Sequence, residues 1–119
     1  MSYEVEYTDE FSEWWGGLSE PEQESIVSVV WLLEAKGPHL GFPHSSGVVT
    51  SKHSHMRELR IQHQGEPYRV FYAFDPHRAA LLLIGGSKAG DDRFYETFVP
   101  VADRIYDQHL KELSAERPK

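Results

Sequence analysis

Glu58, Arg60, Arg69 and Lys88 are the residues of this chain whose types and spacing could do chemistry on a phosphate. They lie on or at the ends of three apolar runs of strand length, residues 56–61, 68–75 and 79–88. Side chains alternate between faces along a strand, so Glu58 and Arg60 share one face and Arg57, Leu59 and Ile61 the other. Leu59 and Ile61 belong in a core, which leaves Glu58 and Arg60 expected on an open face. In the next run Val70, Tyr72 and Phe74 form one face, and Arg69, Phe71 and Ala73 the other. Arg69 opposite Arg60 across a hairpin could grip a phosphate through two planar guanidinium forks, which Lys cannot copy. Lys88 would add a third cation, and Gly85-Gly86 before it would let a backbone or ligand approach closely. Plainer readings stand beside each of these. Glu58 and Arg60 could be an ion pair on a solvated face, Arg69 a strand-end charge, and the glycines a strand-ending turn.

The elements that must position these groups are visible in the pattern. Gln64-Gly65-Glu66-Pro67 and Asp75-Pro76-His77-Arg78 separate the three runs, and Gly, Pro and Asp there mark tight turns of an antiparallel meander. Residues 79–84 are apolar on both faces, as a strand covered on both sides requires. Upstream, Tyr3, Val5 and Tyr7 alternate with Glu4 and Glu6, an edge strand with one wet face. Thr8-Asp9-Glu10 opens a short helix carrying Phe11, Trp14 and Trp15 and ended by Gly16-Gly17. Ser19-Glu20-Pro21-Glu22 is a capping-box start for a second helix, which buries Ile26, Val29, Val30 and Leu33 and stops at Gly37-Pro38. Residues 39–55 show no period. Leu40, Phe42, Val48 and Val49 are expected to tack that segment onto the core, since long structureless loops are uncommon in compact domains. Phe94, Phe98, Val101, Ile105 and Tyr106 form a last helical stripe. Pro100 is expected to break it near Val99, leaving a helix over 100–113 and a frayed end over 114–119. The order is β-α-α-β-β-β-α, an α+β class in one domain over 1–119.

Bulk properties bound the function. The chain has 119 residues, room for one core and not two. It has no cysteine, which excludes disulfide and thiolate chemistry. No apolar run approaches the roughly 18 residues of a membrane span, and the first residues do not form a signal peptide, so a cytoplasmic location is expected. The net charge of −7 argues against general attraction to nucleic acid, but its distribution is uneven. Residues 1–51 hold one Lys against nine acids, whereas residues 52–93 hold seven Lys/Arg against five. A locally cationic sheet sits inside an acidic protein. His39, His44, His53 and His55 lack the spacing of a zinc site, so no metal and no cofactor is expected. The Gly85-Gly86-Ser87-Lys88 turn is not a nucleotide-triphosphate loop, and no nucleophile pair of the Ser/His or Cys/His kind is present.

Glu58-Leu59-Arg60, Tyr68-Arg69-Val70-Phe71-Tyr72 and Leu82-Leu83-Ile84-Gly85-Gly86 with Lys88 resemble the HigB-like branch of the RelE/ParE toxin superfamily. The preceding strand and two helices match in order and length, so the resemblance covers most of the chain. It implies a small twisted, mainly antiparallel RelE-like sheet with two N-terminal helices on one face and a C-terminal helix. It also implies a type II toxin–antitoxin toxin: a metal-independent endoribonuclease that cuts mRNA, typically in the ribosomal A site, under control of a cognate helix-turn-helix antitoxin. Carried over, the resemblance makes Arg69 the catalytic arginine and Arg60 and Glu58 its charged pair. Lys88 becomes the basic group after the last strand, and Tyr95 stands where some members carry a catalytic tyrosine. The chemistry is attack of a ribose 2′-OH on the adjacent phosphate, which needs a base, cations on the developing charge and an acid for the 5′-oxygen. Glu58 is the candidate base, Arg69 and Arg60 hold the phosphate, Lys88 clamps it or acts as acid, and Tyr95 stacks or donates a proton. Lys52, Arg57 and Arg93 are the further cations expected to meet RNA. Two other functions remain open on the residues: a gyrase inhibitor of the ParE kind, and a catalytically silent module whose acidic half binds a basic partner.

Overall fold

A computed structural model describes residues 2–116. A five-stranded sheet divides the molecule into two apolar layers. Its strands are β1 (Val5–Tyr7), β2 (Ser45–Gly47), β3 (Arg57–His63), β4 (Glu66–Phe74) and β5 (Ala80–Ser87), in the spatial order β1-β5-β4-β3-β2. β1 pairs with β5 in parallel; every other pairing is antiparallel. Helices α1 (Asp9–Gly16) and α2 (Glu20–Lys36) cover one face, and α3 (Phe94–Glu116) the other. No helix among the described residues is long and apolar enough to cross a membrane.

Local chemistry accounts for the helix ends. The Thr8 hydroxyl accepts from the Phe11 N–H and caps α1. Ser19 and Glu22 exchange reciprocal side-chain-to-backbone hydrogen bonds, the capping box expected for α2. From α2, Ile26, Val29 and Leu33 enter the core with Leu59, Ile61, Val70, Tyr72 and Leu82 of the sheet. Val30 only packs against it, partly buried. On the opposite side Phe71, Ala73, Leu81 and Leu83 meet Phe94, Val99, Ala102, Ile105 and Tyr106 of α3.

The β4–β5 register shifts between Phe71 and Tyr72, which face Ile84 and Leu82 and leave Leu83 unopposed. This bulge puts both Leu83 and Ile84 on the α3 side. Beyond it Gly85 faces α1 and Gly86 faces α3. A Cβ on Gly85 would lie 2.4 Å from the Trp14 ring, and one on Gly86 2.7 Å from the Phe98 ring. The close approach expected at these glycines is therefore made by two aromatic side chains of the protein itself.

Several local expectations need correction. The segment 39–55 contains a strand, β2, pairing with β3 through backbone bonds that polar Ser45-Ser46-Gly47 gives no apolar signal for. A single 3₁₀ turn, Gly37–His39, precedes it. Leu40 and Val48 are buried as expected, but Phe42 and Val49 are 77% and 96% exposed. Pro100 does not break the last helix, which runs from Phe94 to Glu116. The proline removes one donor, and its position on the exposed side leaves the freed Glu96 carbonyl to water. Buried Phe94 and Val99 before it, and Ala102 and Tyr106 after it, hold both halves on the sheet. Residues 114–116, expected to fray, continue this helix, while 117–119 lie outside the described residues. The first strand begins at Val5 rather than Tyr3 and is an edge strand as expected.

Candidate active site

Arg60 and Arg69 are directly opposed in the β3–β4 register, and Glu58 lies two residues before Arg60 on the same face. Two like charges in a cross-strand pair destabilise a sheet unless something offsets them. Here the Glu58 carboxylate does so. Its Oε2 accepts from Arg60 Nη1 at 3.1 Å and from Ser46 Oγ at 2.8 Å. Its Oε1 accepts from the Tyr95 hydroxyl at 2.8 Å and lies 3.9 Å from Arg69 Nε. Glu58 and Arg69 are 4% and 6% exposed. The sequence expectation of an open, solvated face fails at Glu58 because the first turn of α3 crosses the sheet there. Tyr95 reaches over the carboxylate, and its ring meets Phe71 edge-on. Strand alternation defines which residues share a face; it carries nothing about what covers that face.

Arg69 is held by a hydrogen bond at one end and, at the other, faces the Glu58 carboxylate too far away for one. Its Nη1 donates to the Tyr68 carbonyl at 3.0 Å, while its buried Nε has no hydrogen-bond partner. Buried donors are normally paired, and a group left without a partner calls for an explanation such as a working site. Arg60 is more open, with its guanidinium 5.2 Å from the Phe42 ring centroid. Both arginines line a cleft of about 430 Å³ at the β3 edge, with Ser25 and Ser28 of α2 and with Phe42 and His44 on its other wall. One buried carboxylate balances two guanidinium groups, so the cleft keeps a net positive charge and suits an anion.

The Tyr95 hydroxyl is pushed above its ordinary pKa by burial first and by the Glu58 carboxylate second, with Arg69 pulling the other way. It therefore stays protonated at neutral pH and acts as a hydrogen-bond donor. Lys88 follows β5, its backbone N–H bonded to the Pro67 carbonyl, and its ammonium lies 5.7 Å from the Tyr95 ring centroid. The structure thus brings Glu58, Arg60, Arg69 and Tyr95 together and places Lys88 on the outer side of Tyr95.

The three further cations have partners of their own. Arg57 points to the opposite face, where Nε donates to Ser45 Oγ at 3.0 Å and Nη2 to the Leu40 carbonyl at 3.5 Å. It pins the segment before β2 to the sheet. Lys52 pairs with Asp107 at 2.5 Å, twelve residues along α3 from Tyr95, about 18 Å at the helical rise. Arg93 is exposed and pairs with Glu96 at 3.2 Å. Two histidines of the 39–55 segment also have separate work: His53 contacts Asp107 and His55 the Tyr106 hydroxyl.

A family profile described as "Phage derived protein Gp49-like" matches residues 13–107. The chain belongs to that family and is HigB-like. Two Mycobacterium tuberculosis proteins are similar to this HigB-like chain. One, named "Putative toxin HigB3", is 40% identical over 92 residues, which cover 76% of this chain and 79% of its own. The other, "Putative toxin HigB2", is 35% identical over 113 residues and 93% of this chain, which spans only 56% of that longer protein. The fold is also that of the isolated Escherichia coli RelE toxin, at a TM-score of 0.52 and 12% identity over 84% of this chain and 99% of RelE. A doubly substituted RelE in the free state aligns over 94% of this chain and 98% of its own, at 0.51 and 13% identity. The α+β architecture expected from the resemblance is the one observed.

Two site residues of this HigB-like chain carry no usable signal in the sequence. Ser46 donates to Glu58 only because β2 pairs Ser46 with Glu58, and nothing in Ser45-Ser46-Gly47 marks a strand. Phe42 reads as a core anchor, yet Arg57 and the β2 pairing hold its loop so that the ring stands at the cleft.

Proposed function

We propose that this chain is the toxin of a type II toxin–antitoxin pair, an endoribonuclease that cleaves mRNA on the ribosome in the cytoplasm and so stops translation. The observation that carries this reading is the opposed Arg60–Arg69 pair, half-neutralised by one buried carboxylate and opening on a cleft. A phosphate entering the cleft would meet the guanidinium groups of Arg60 and Arg69 that line it. In the reaction the 2′-hydroxyl gives its proton to water as its oxygen bonds to phosphorus, the bond to the 5′-oxygen breaks with that oxygen taking a proton from Lys88, and the dianionic phosphorane between them is stabilised by both guanidinium groups. Glu58 already accepts three hydrogen bonds, so we assign it to orienting Arg60, Arg69 and Tyr95 rather than to taking the 2′-proton. Tyr95, protonated and beside the carboxylate, donates a hydrogen bond or stacks; Lys88 approaches the phosphate from beyond its ring. No metal or cofactor has a part in this scheme.

A protein antitoxin of the helix-turn-helix class is the proposed partner. Supporting it is an apolar cleft of about 310 Å³ between α1 and α2, lined by Tyr7, Phe11, Trp15, Val27 and Val30 with Glu34 at its rim. The surrounding N-terminal half carries nine acids against one Lys, which suits a cationic amphipathic segment.

The test is cleavage of a defined mRNA on programmed ribosomes by purified protein. Losing a donor to the developing charge costs about 10²–10³ in rate, so Arg69→Ala should fall by at least that while remaining folded. If Arg69→Ala still inhibits growth and wild-type protein leaves mRNA intact, the nuclease reading fails. A DNA supercoiling assay then separates gyrase inhibition from a silent module.

A further inference from the structure

Among the described large apolar side chains that stand exposed, Tyr7, Trp31, Phe42 and Val49, Phe42 is the one that lines the cleft of Arg60 and Arg69. Its ring is 77% exposed, so burial does not explain its position. What holds it there is polar and local. The Arg60 backbone N–H donates to the His44 carbonyl at 2.9 Å, and Ser45 is fully buried against the Tyr72 hydroxyl at 2.7 Å. Arg57 ties down the Leu40 carbonyl on the other side of the ring. The loop is thus anchored two residues before Phe42 and two after it, and the aromatic side chain between is left in the open. The Arg60 guanidinium lies 5.2 Å from its centroid, near enough for a cation–π contact that aligns the two groups.

We propose that Phe42 is a nucleobase platform, stacking the base of a nucleotide whose phosphate is held by Arg60 and Arg69. This rests on reading the cleft as an RNA site. An aromatic ring next to a guanidinium plane is the arrangement that captures an unstacked base of single-stranded RNA without reading its edges. The ring would select for a base being present and splayed out, and would discriminate weakly between bases. It would also keep the phosphate from sliding along the strand edge, because base and phosphate are fixed together.

The experiment reads binding and not cleavage. A short single-stranded RNA with 2′-O-methyl riboses, which cannot undergo 2′-attack, is titrated against wild type, Phe42→Ala and Phe42→Trp. A parallel set carries one abasic residue at each successive position. Stacking contributes enough that Phe42→Ala should weaken binding by about tenfold, while Phe42→Trp should retain it. For one abasic position, wild type and Phe42→Ala should bind equally. The proposal is overturned by unchanged affinity in Phe42→Ala, by an equal loss on every abasic RNA, or by no binding in the wild type. The second result would mean that Phe42 acts only by steadying Arg60. The exposed ring can be removed without a core cavity, and an unchanged unfolding midpoint confirms the variant is folded. Cleavage of ordinary mRNA, followed alongside, reports on the nuclease reading separately.

Discussion

Replacing Glu58 by glutamine tests whether one buried carboxylate holds the site together. The change keeps shape and removes the charge that sits 3.9 Å from Arg69 Nε and 3.1 Å from Arg60 Nη1. At 3.9 Å and an effective dielectric of about 20, the Glu58–Arg69 attraction is about 4 kcal/mol. Desolvation of both groups offsets part of that. The Arg60 side chain, 28% exposed, can turn toward water when its partner is lost, whereas that of Arg69 at 8% cannot. Leaving one buried charge uncompensated typically costs about 3–5 kcal/mol. The introduced amide still offers one acceptor oxygen, so a loss at the lower end, about 3 kcal/mol, is expected for Glu58→Gln. Urea unfolding measures it as a lower midpoint at unchanged slope. In a cycle with Arg69→Met, the second substitution should recover about 1–3 kcal/mol of the loss, because the stranded charge is then gone. A cost under about 0.5 kcal/mol, or additive effects of the two substitutions, would refute the idea that Glu58 is the counter-charge of Arg69.

Other outcomes follow from the packing and from the titrating groups. Gly85→Ala forces a methyl against the Trp14 ring, and Gly86→Ala one against Phe98; each should cost about 1–3 kcal/mol in urea unfolding, as overpacked sites do. At alkaline pH, Tyr68 has its pKa raised above the ordinary tyrosine value, first by its hydrogen bond to Glu22 and then by burial. A raised folded pKa means its stabilisation is complete below about pH 10 and is lost as pH climbs through the folded value. Unfolding midpoints measured from about pH 8 upward should therefore fall at the alkaline end. Tyr68→Phe should be less stable at neutral pH and show a smaller alkaline decline.

Much of the fold is legible in the chain because its signals are local. Ser19 and Glu22 announce α2, Thr8 starts α1, and the two Gly/Pro turns separate β3, β4 and β5. Each works through atoms a few residues apart, so the tertiary structure can only agree with it. Expectations fail where a distant element decides. Pro100 predicts the end of a helix, but contacts on both sides of it hold α3 to the sheet. Phe42 reads as a core residue; instead polar anchors on either side hold its loop at the surface, and the ring stands beside Arg60. β2 forms because β3 offers it backbone partners, and those are invisible in Ser45-Ser46-Gly47.

The same division runs through the site. Alternation along each strand is enough to put Glu58 with Arg60 on one face of β3 and Arg69 with Phe71 and Ala73 on one face of β4, since a period of two is a property of the extended backbone alone. Whether those faces are wet, and which groups answer the charges, requires the register that opposes Arg60 to Arg69 and the first turn of α3 that lays Tyr95 over Glu58. It also requires β2, which brings Ser46 to the same carboxylate. The sequence by itself therefore determined α1, α2 and the three strands of the meander, and which charged residues share a face within each strand. Only the tertiary structure decided that Glu58 is buried, that Arg69 Nε is left without a hydrogen bond, and that Arg57 and Lys52 stand apart. The physical reason is that periodicity and capping act between near neighbours, whereas burial and charge pairing depend on what the folded chain lays on top.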